Sequence, residues 1–103
     1  MSRITITKPD DWHIHLRDGD MLERTVNDVA AWANRAVVMP NLTPPVKNVS
    51  DATAYHSRIM AALEGSPQFE PLMTLYLTDS TTPADIAAAA QSLLVCGVKL
   101  YPA

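Results

Sequence analysis

The stretch RAVVMPN, residues 35–41, decides how the rest of the chain is read. Its centre is continuously apolar, and Pro40 stops it. A short run of that kind suits a strand buried on both faces, as in a parallel sheet. PLMTLYLT at 71–78 repeats the pattern, and VKLY at 98–101 repeats it again before Pro102. DWHIHL at 11–16 is shorter and alternates. Strands are therefore expected at 11–16, 35–41, 71–78 and 98–101.

Three helical segments separate these strands. Over 21–33, Met21, Leu22, Thr25, Val26, Val29, Ala30 and Ala33 form one apolar stripe. Asp20 is the expected cap there, with Glu23 completing a capping-box-like pattern. Over 51–64, Ala52, Tyr55, Ile59, Met60 and Leu63 share a face, with Ser50 as cap and Gly65 just past the end. The third helix is expected over 83–96, with Thr82 as cap, Pro83 at its first position and Gly97 as its stop.

The order βαβαβαβ predicts an α/β fold with parallel strands and right-handed crossovers. A complete (β/α)8 TIM barrel takes about 250 residues. The 103 residues here supply four strands and three helices, so the expectation is the N-terminal half of such a barrel, a single incomplete domain over 1–103. A flavodoxin-like sheet standing on its own is the alternative. Residues 2–7 could add an edge strand, with no assigned place.

Composition narrows the partners. Apolar residues make up 48% and charged residues 18%, and the net charge is −3 without a basic cluster, which argues for a globular domain and against nucleic acid or acidic membranes. No apolar run reaches the ~18 residues of a membrane span. The N-terminus lacks the apolar core of a secretory signal, and the single Cys96 leaves no internal disulfide. Together these point to the cytoplasm.

Five residues carry the chemistry. His13 and His15 are two apart on a strand, so their imidazoles share a face. They fall at a carboxyl-terminal strand end, where barrel enzymes keep their active sites. Imidazole pairs suit zinc, although one histidine could simply pack while the other caps a loop. Arg17 continues that face if the strand extends so far; it could clamp a carboxylate bidentately or pair with Asp18 or Asp20. Asn41 ends the second strand, where it could bond a ligand or form a turn. Lys99 lies inside an apolar strand, where an amine takes a partner or loses its charge. A neutral amine can react with carbon dioxide to give an anionic carbamate; a lysine reaching solvent is the plainer reading. Tyr101 shares its face. His56 is expected at the helix surface, Cys96 in helix packing, Asp79 in a turn, and Trp12 and Trp32 in packing.

Taken in order, DDWHIHLRDGDML, VVMPNLTPPV, PLMTLYLTDS and GVKLYPA resemble the N-terminal part of the dihydroorotases of bacterial homodimeric type, within the amidohydrolase superfamily. The resemblance covers nearly the whole chain. It implies two zinc ions, with His13 and His15 as ligands of the more buried one and Lys99 carboxylated and bridging both. It implies that Arg17 and Asn41 hold the substrate carboxylate. The implied reaction is the reversible cyclisation of N-carbamoyl-L-aspartate to L-dihydroorotate, in a cytoplasmic homodimer. Two further histidines, a general-base aspartate and a substrate loop are expected beyond Ala103, so the 103 residues alone are expected to be inactive. A hydantoinase-like cyclic amidase, or a non-catalytic truncated product, stand as alternatives.

Overall fold

Four parallel strands lie side by side in the order in which the chain makes them, β1 (Asp11–Ile14), β2 (Arg35–Val38), β3 (Glu70–Tyr76) and β4 (Val95–Lys99). The helices α1 (Leu22–Ala30), α2 (Val49–Ala62) and α3 (Pro83–Gln91) make the crossovers. The structure is a computed structural model, and it describes residues 2–65 and 68–102. A flavodoxin-like sheet would carry its second strand outside the first and then reverse its winding. Sequential order without a reversal is the winding of a (β/α)8 barrel. The barrel reading therefore holds and the flavodoxin alternative falls. Residues 2–9 form no strand, contrary to the expectation for 2–7, and their Ile4 and Ile6 are exposed.

The first two helices form as their sequences suggest, with different starts. Gly19–Met21 is a 3-10 turn leading directly into α1, so Asp20 lies inside that turn and caps nothing. Helix α2 begins earlier than expected because the Asn48 side chain accepts from the Asp51 backbone N–H, and Ser50 falls within the first turn. α3 carries the anticipated cap: Thr82 accepts from the Asp85 N–H, while the Asp85 carboxylate accepts from the Thr82 N–H.

The third helix is shorter than its apolar run. It ends at Gln91, and Ser92 turns extended, with its hydroxyl accepting from the N–H groups of Leu94 and Val95. The strand then starts at Val95, so Cys96 and Gly97 belong to β4 and not to a helix or its stop. Cys96 is an exposed strand residue. The polar pair Gln91-Ser92 marks the break within the apolar run, and the Ser92 side chain secures it.

Burial is one-sided on the strands next to the edges. Ala36 and Val38 of β2 are buried while Arg35 and Val37 are only partly so, and no residue of β4 is buried. Only β3 approaches the expected two-sided burial, with Pro71, Met73, Thr74 and Leu75 buried. The core therefore sits between the sheet and α1 and α2, where Leu16, Val26, Val29, Tyr55 and Ile59 are buried. Met21 and Met60, assigned to apolar stripes by spacing, are exposed. The tryptophans also depart from the packing expectation: Trp12 and Trp32 are 57% and 47% exposed, and Trp12 lies under the Arg35 guanidinium. Asp79 is in a turn, as expected, and His56 is half-buried on α2, more than a surface position implies.

Candidate metal centre

The site grows from the carboxyl ends of β1, β2 and β4. In β1 the register slips: Asp11 pairs with Ala36 and Ile14 with Val38, so three steps along β1 meet two along β2. That bulge contains Trp12 and His13, and the Asp11 carboxylate accepts from the His13 N–H at 2.9 Å. Bulges re-aim side chains at barrel rims. Here the result keeps the convergence that simple alternation predicts: the Nε2 atoms of His13 and His15 approach to 3.2 Å, and their rings lie 5.2 Å apart between centroids. His15 itself lies just past the strand end.

That separation can be checked against a metal. Two nitrogens each about 2.0–2.1 Å from a tetrahedral zinc lie about 3.3–3.4 Å apart. The observed spacing is close to this, so the distance between the two nitrogens fits a single ion. A hydrogen bond between one imidazole N–H and the other's lone pair satisfies the same distance in the metal-free protein. Among the described residues no cluster of three or more His, Cys, Asp or Glu exists.

Lys99 is close enough for its charge to act on His15. It ends β4, half-buried, and its Nζ donates to the Asn41 Oδ1 at 2.7 Å and stands 5.1 Å over the Tyr101 ring. Its partner is thus an amide oxygen and an aromatic face, not a carboxylate, and its burial is less complete than an apolar strand implies. Asn41 is set by the loop that follows β2, where the N–H groups of Leu42 and Val46 both bond the Pro40 carbonyl. The turn reading and the ligand reading of Asn41 both meet a fact the sequence did not suggest: Asn41 and Lys99 touch across 58 positions.

Arg17 does not continue the β1 face as a strand residue. Its φ is +60°, a left-handed turn, and its side chain is exposed. Asp18 does not pair with it; Asp18 takes Arg58 of α2 instead, through Nε at 3.1 Å and Nη2 at 2.9 Å. The hydroxyl of Tyr55 donates to the Arg17 carbonyl. Tyr55 and Arg58 are the residues that sequence reasoning missed as neighbours of the site, since Tyr55 reads only as core.

Electrostatics suit a ligand role for His15. Burial first, and then the positive charges of Arg17 and Lys99 with His13 nearby, hold His15 below the usual imidazole range. A neutral imidazole is the form that binds a metal. Burial alone would raise the Asp18 carboxyl, but the Arg58 guanidinium and the Gly19 N–H outweigh it and hold Asp18 low. The best-formed cavity lies elsewhere, about 230 Å³ between the 43–46 loop and α2, beside the Asp18–Arg58 pair. His13 and His15 are not among the residues that line it.

Sequential parallel strands joined by three crossover helices, with polar groups gathered at the carboxyl strand ends, give the chain the winding of part of a (β/α)8 barrel. No family model matches the chain. Comparison with curated proteins nevertheless points one way: over its whole length the chain matches part of a dihydroorotase. It is 57% identical to the dihydroorotase of a Picosynechococcus species over all 103 residues, which are 30% of that protein. It is 61% identical to the dihydroorotase of Cupriavidus taiwanensis over 101 residues, covering 98% of this chain and 29% of that one. Among solved structures, the dihydroorotase of Campylobacter jejuni superposes with a TM-score of 0.82 at 41% identity, over 93% of this chain and 28% of its own. The Saccharomyces cerevisiae dihydroorotase, solved in complex with 5-fluoroorotic acid, gives 0.83 at 33% identity, over 92% and 26%. The chain thus spans about 30% of the length of the relatives it matches.

Proposed function

We propose that this chain carries part of the metal and substrate site of a dihydroorotase, the cyclic amidohydrolase that interconverts N-carbamoyl-L-aspartate and L-dihydroorotate in pyrimidine biosynthesis. The observation that carries the reading is the 3.2 Å convergence of the His13 and His15 nitrogens at the strand end, with Lys99 held by Asn41 on the neighbouring part of the rim. In this reading the 103 residues are one part of a single barrel domain, and the activity belongs to a polypeptide of the relatives' length.

His13 and His15 would hold one of two zinc ions, and Lys99, as its carbamate, would supply anionic oxygen to both. Zinc, when bound, provides Lewis acidity and makes water a stronger acid at neutral pH. The residues of this chain do the rest by binding and orientation. Arg17 presents a guanidinium matched to a carboxylate. Asn41 offers an amide N–H to the same group. A substrate ring bearing a carboxylate is the class that such a pair recognises, and the yeast relative's complex with 5-fluoroorotic acid is in keeping with it. The same reading makes the protein a cytoplasmic homodimer acting on a small molecule. Among the described residues, no helix is long and apolar enough to cross a membrane.

The test uses a protein of dihydroorotase length carrying this chain. His13→Ala and His15→Ala should each lower zinc content and abolish turnover. Lys99→Ala should do the same, and native mass spectrometry of the metal-loaded protein should find Lys99 carboxylated. Arg17→Ala and Asn41→Ala should keep their zinc and lose affinity for L-dihydroorotate about ten- to a hundredfold, as expected for one charge-assisted contact. Full zinc content in both histidine variants would refute the metal assignment. The 103-residue polypeptide alone is expected to show no turnover.

A further inference from the structure

The turn after β1 is held in an unusual way. Arg17 is the one non-glycine residue with positive φ among those described, at +60°. A side-chain-bearing residue there is about 1–2 kcal/mol less favourable than in right-handed geometry and persists only where its surroundings impose it. Two residues one turn apart on α2 impose it. Tyr55, 1% exposed, donates its hydroxyl to the Arg17 carbonyl. Arg58 grips the next residue, Asp18, with two nitrogens and stacks its guanidinium 5.3 Å over the Tyr55 ring. The carbonyl of Arg17 and the carboxylate of the residue after it are therefore both tied to one turn of α2. The Arg17 guanidinium, by contrast, makes no hydrogen bond or ion pair among the described residues and is exposed.

We propose that Tyr55 and Arg58, through the Arg17 carbonyl and the Asp18 carboxylate, are positioning residues that preset the unpaired Arg17 guanidinium for a substrate carboxylate. The proposal rests on the reading of Arg17 as a carboxylate binder and adds the device that aims it. Ordinary pairing would neutralise the guanidinium on the neighbouring Asp18. The clamp prevents this by giving Asp18 a different cation, and it fixes the direction in which the Arg17 side chain leaves the backbone. Fixing a binding group before the ligand arrives removes an ordering cost from binding.

A double-mutant cycle on the zinc-loaded, dihydroorotase-length protein tests it, read by the Kd for L-dihydroorotate in calorimetry alongside zinc content and thermal midpoint. Tyr55→Phe keeps the ring and removes one hydroxyl; it should weaken binding about tenfold with zinc content unchanged. In an Arg17→Ala background the same change should weaken binding no further, because its route to the substrate is gone. Asp18→Asn, which breaks the bidentate pair at a more exposed position, should behave alike and serves if Tyr55→Phe folds poorly. Ile59→Val is a matched core control that should lower the thermal midpoint and leave Kd unchanged. Equal weakening by Tyr55→Phe with and without Arg17 would overturn the proposal. Normal affinity in Tyr55→Phe and Asp18→Asn, beside a weakened Arg17→Ala, would overturn the clamp alone. Normal affinity in Arg17→Ala would instead overturn the carboxylate reading on which the clamp depends.

Discussion

At the β1 end of the sheet, the residues around the histidine pair are anchored from beneath; at the β4 end, Lys99 leans on one amide oxygen and one aromatic ring. Beneath the first lie α1 and α2, which bury seven residues between them: Leu22, Val26, Val29, Ala30, Ala52, Tyr55 and Ile59. Beneath the second, α3 buries only Ala89. Ile86, Cys96 and Val98 form an open apolar groove between α3 and β4. The same βα unit, repeated, is thus fully packed in one half of the chain and thinly packed in the other. The difference teaches that local helix and strand signals form elements in both halves, while the number of side chains an element buries depends on what packs against it. The strand end that carries the histidine pair rests on two helices with buried faces; the Lys99 end rests on one that buries a single alanine.

The widest gap between the halves should appear in core truncation. Ile59→Ala, in the fully buried face of α2, should cost about 2–5 kcal/mol of unfolding free energy. Ile86→Ala on α3, where the side chain is 40% exposed, should cost less than about 1 kcal/mol. Urea unfolding of the two variants measures both, and equal losses would break the comparison.

Helix caps should narrow the gap. Asn48→Ala and Thr82→Ala each remove one side-chain acceptor at a helix start, worth about 1 kcal/mol in either half. Hydrogen exchange sharpens the point: loss of the Thr82 cap should expose the whole of α3, whereas α2 without Asn48 should fray only at its first turn, because its buried face holds the remainder. Fraying of equal extent would show that α3 is packed better than its burial indicates.

A smaller effect tests the entry to the sheet. Asp10 accepts from the Arg35 backbone and guanidinium, and that guanidinium holds its carboxyl below the usual aspartate value of 3.8. A depressed carboxyl contributes stability that is complete above its unfolded pKa and is lost as the pH falls through the folded one. The thermal midpoint should therefore decline more steeply below about pH 4 in the native sequence than in Asp10→Asn. Parallel acid limbs would remove the pair from the account. Least of all should come from Arg24→Ala: its ion pair with Asp28, 3.5 Å long and well exposed, should change stability by no more than about 0.5 kcal/mol.

What the sequence determined by itself was whatever a few consecutive residues can settle. Three apolar runs, two of them ended by proline, and one alternating stretch located four strands, Thr82 and Pro83 started α3 where expected, and two histidines two positions apart announced a shared face. Local propensity and side-chain period act over one or two turns, so such features survive any tertiary context that does not oppose them. Tertiary structure decided the rest. The order of the strands chose a barrel over a doubly wound sheet, and a register slip put a bulge at His13. Asn41 met Lys99 across 58 positions, and Tyr55 met the Arg17 carbonyl across 38. Those contacts join residues that share no local pattern. Their partners are chosen by where packed helices and paired strands bring the backbone, and that is a property of the assembled sheet rather than of any segment within it.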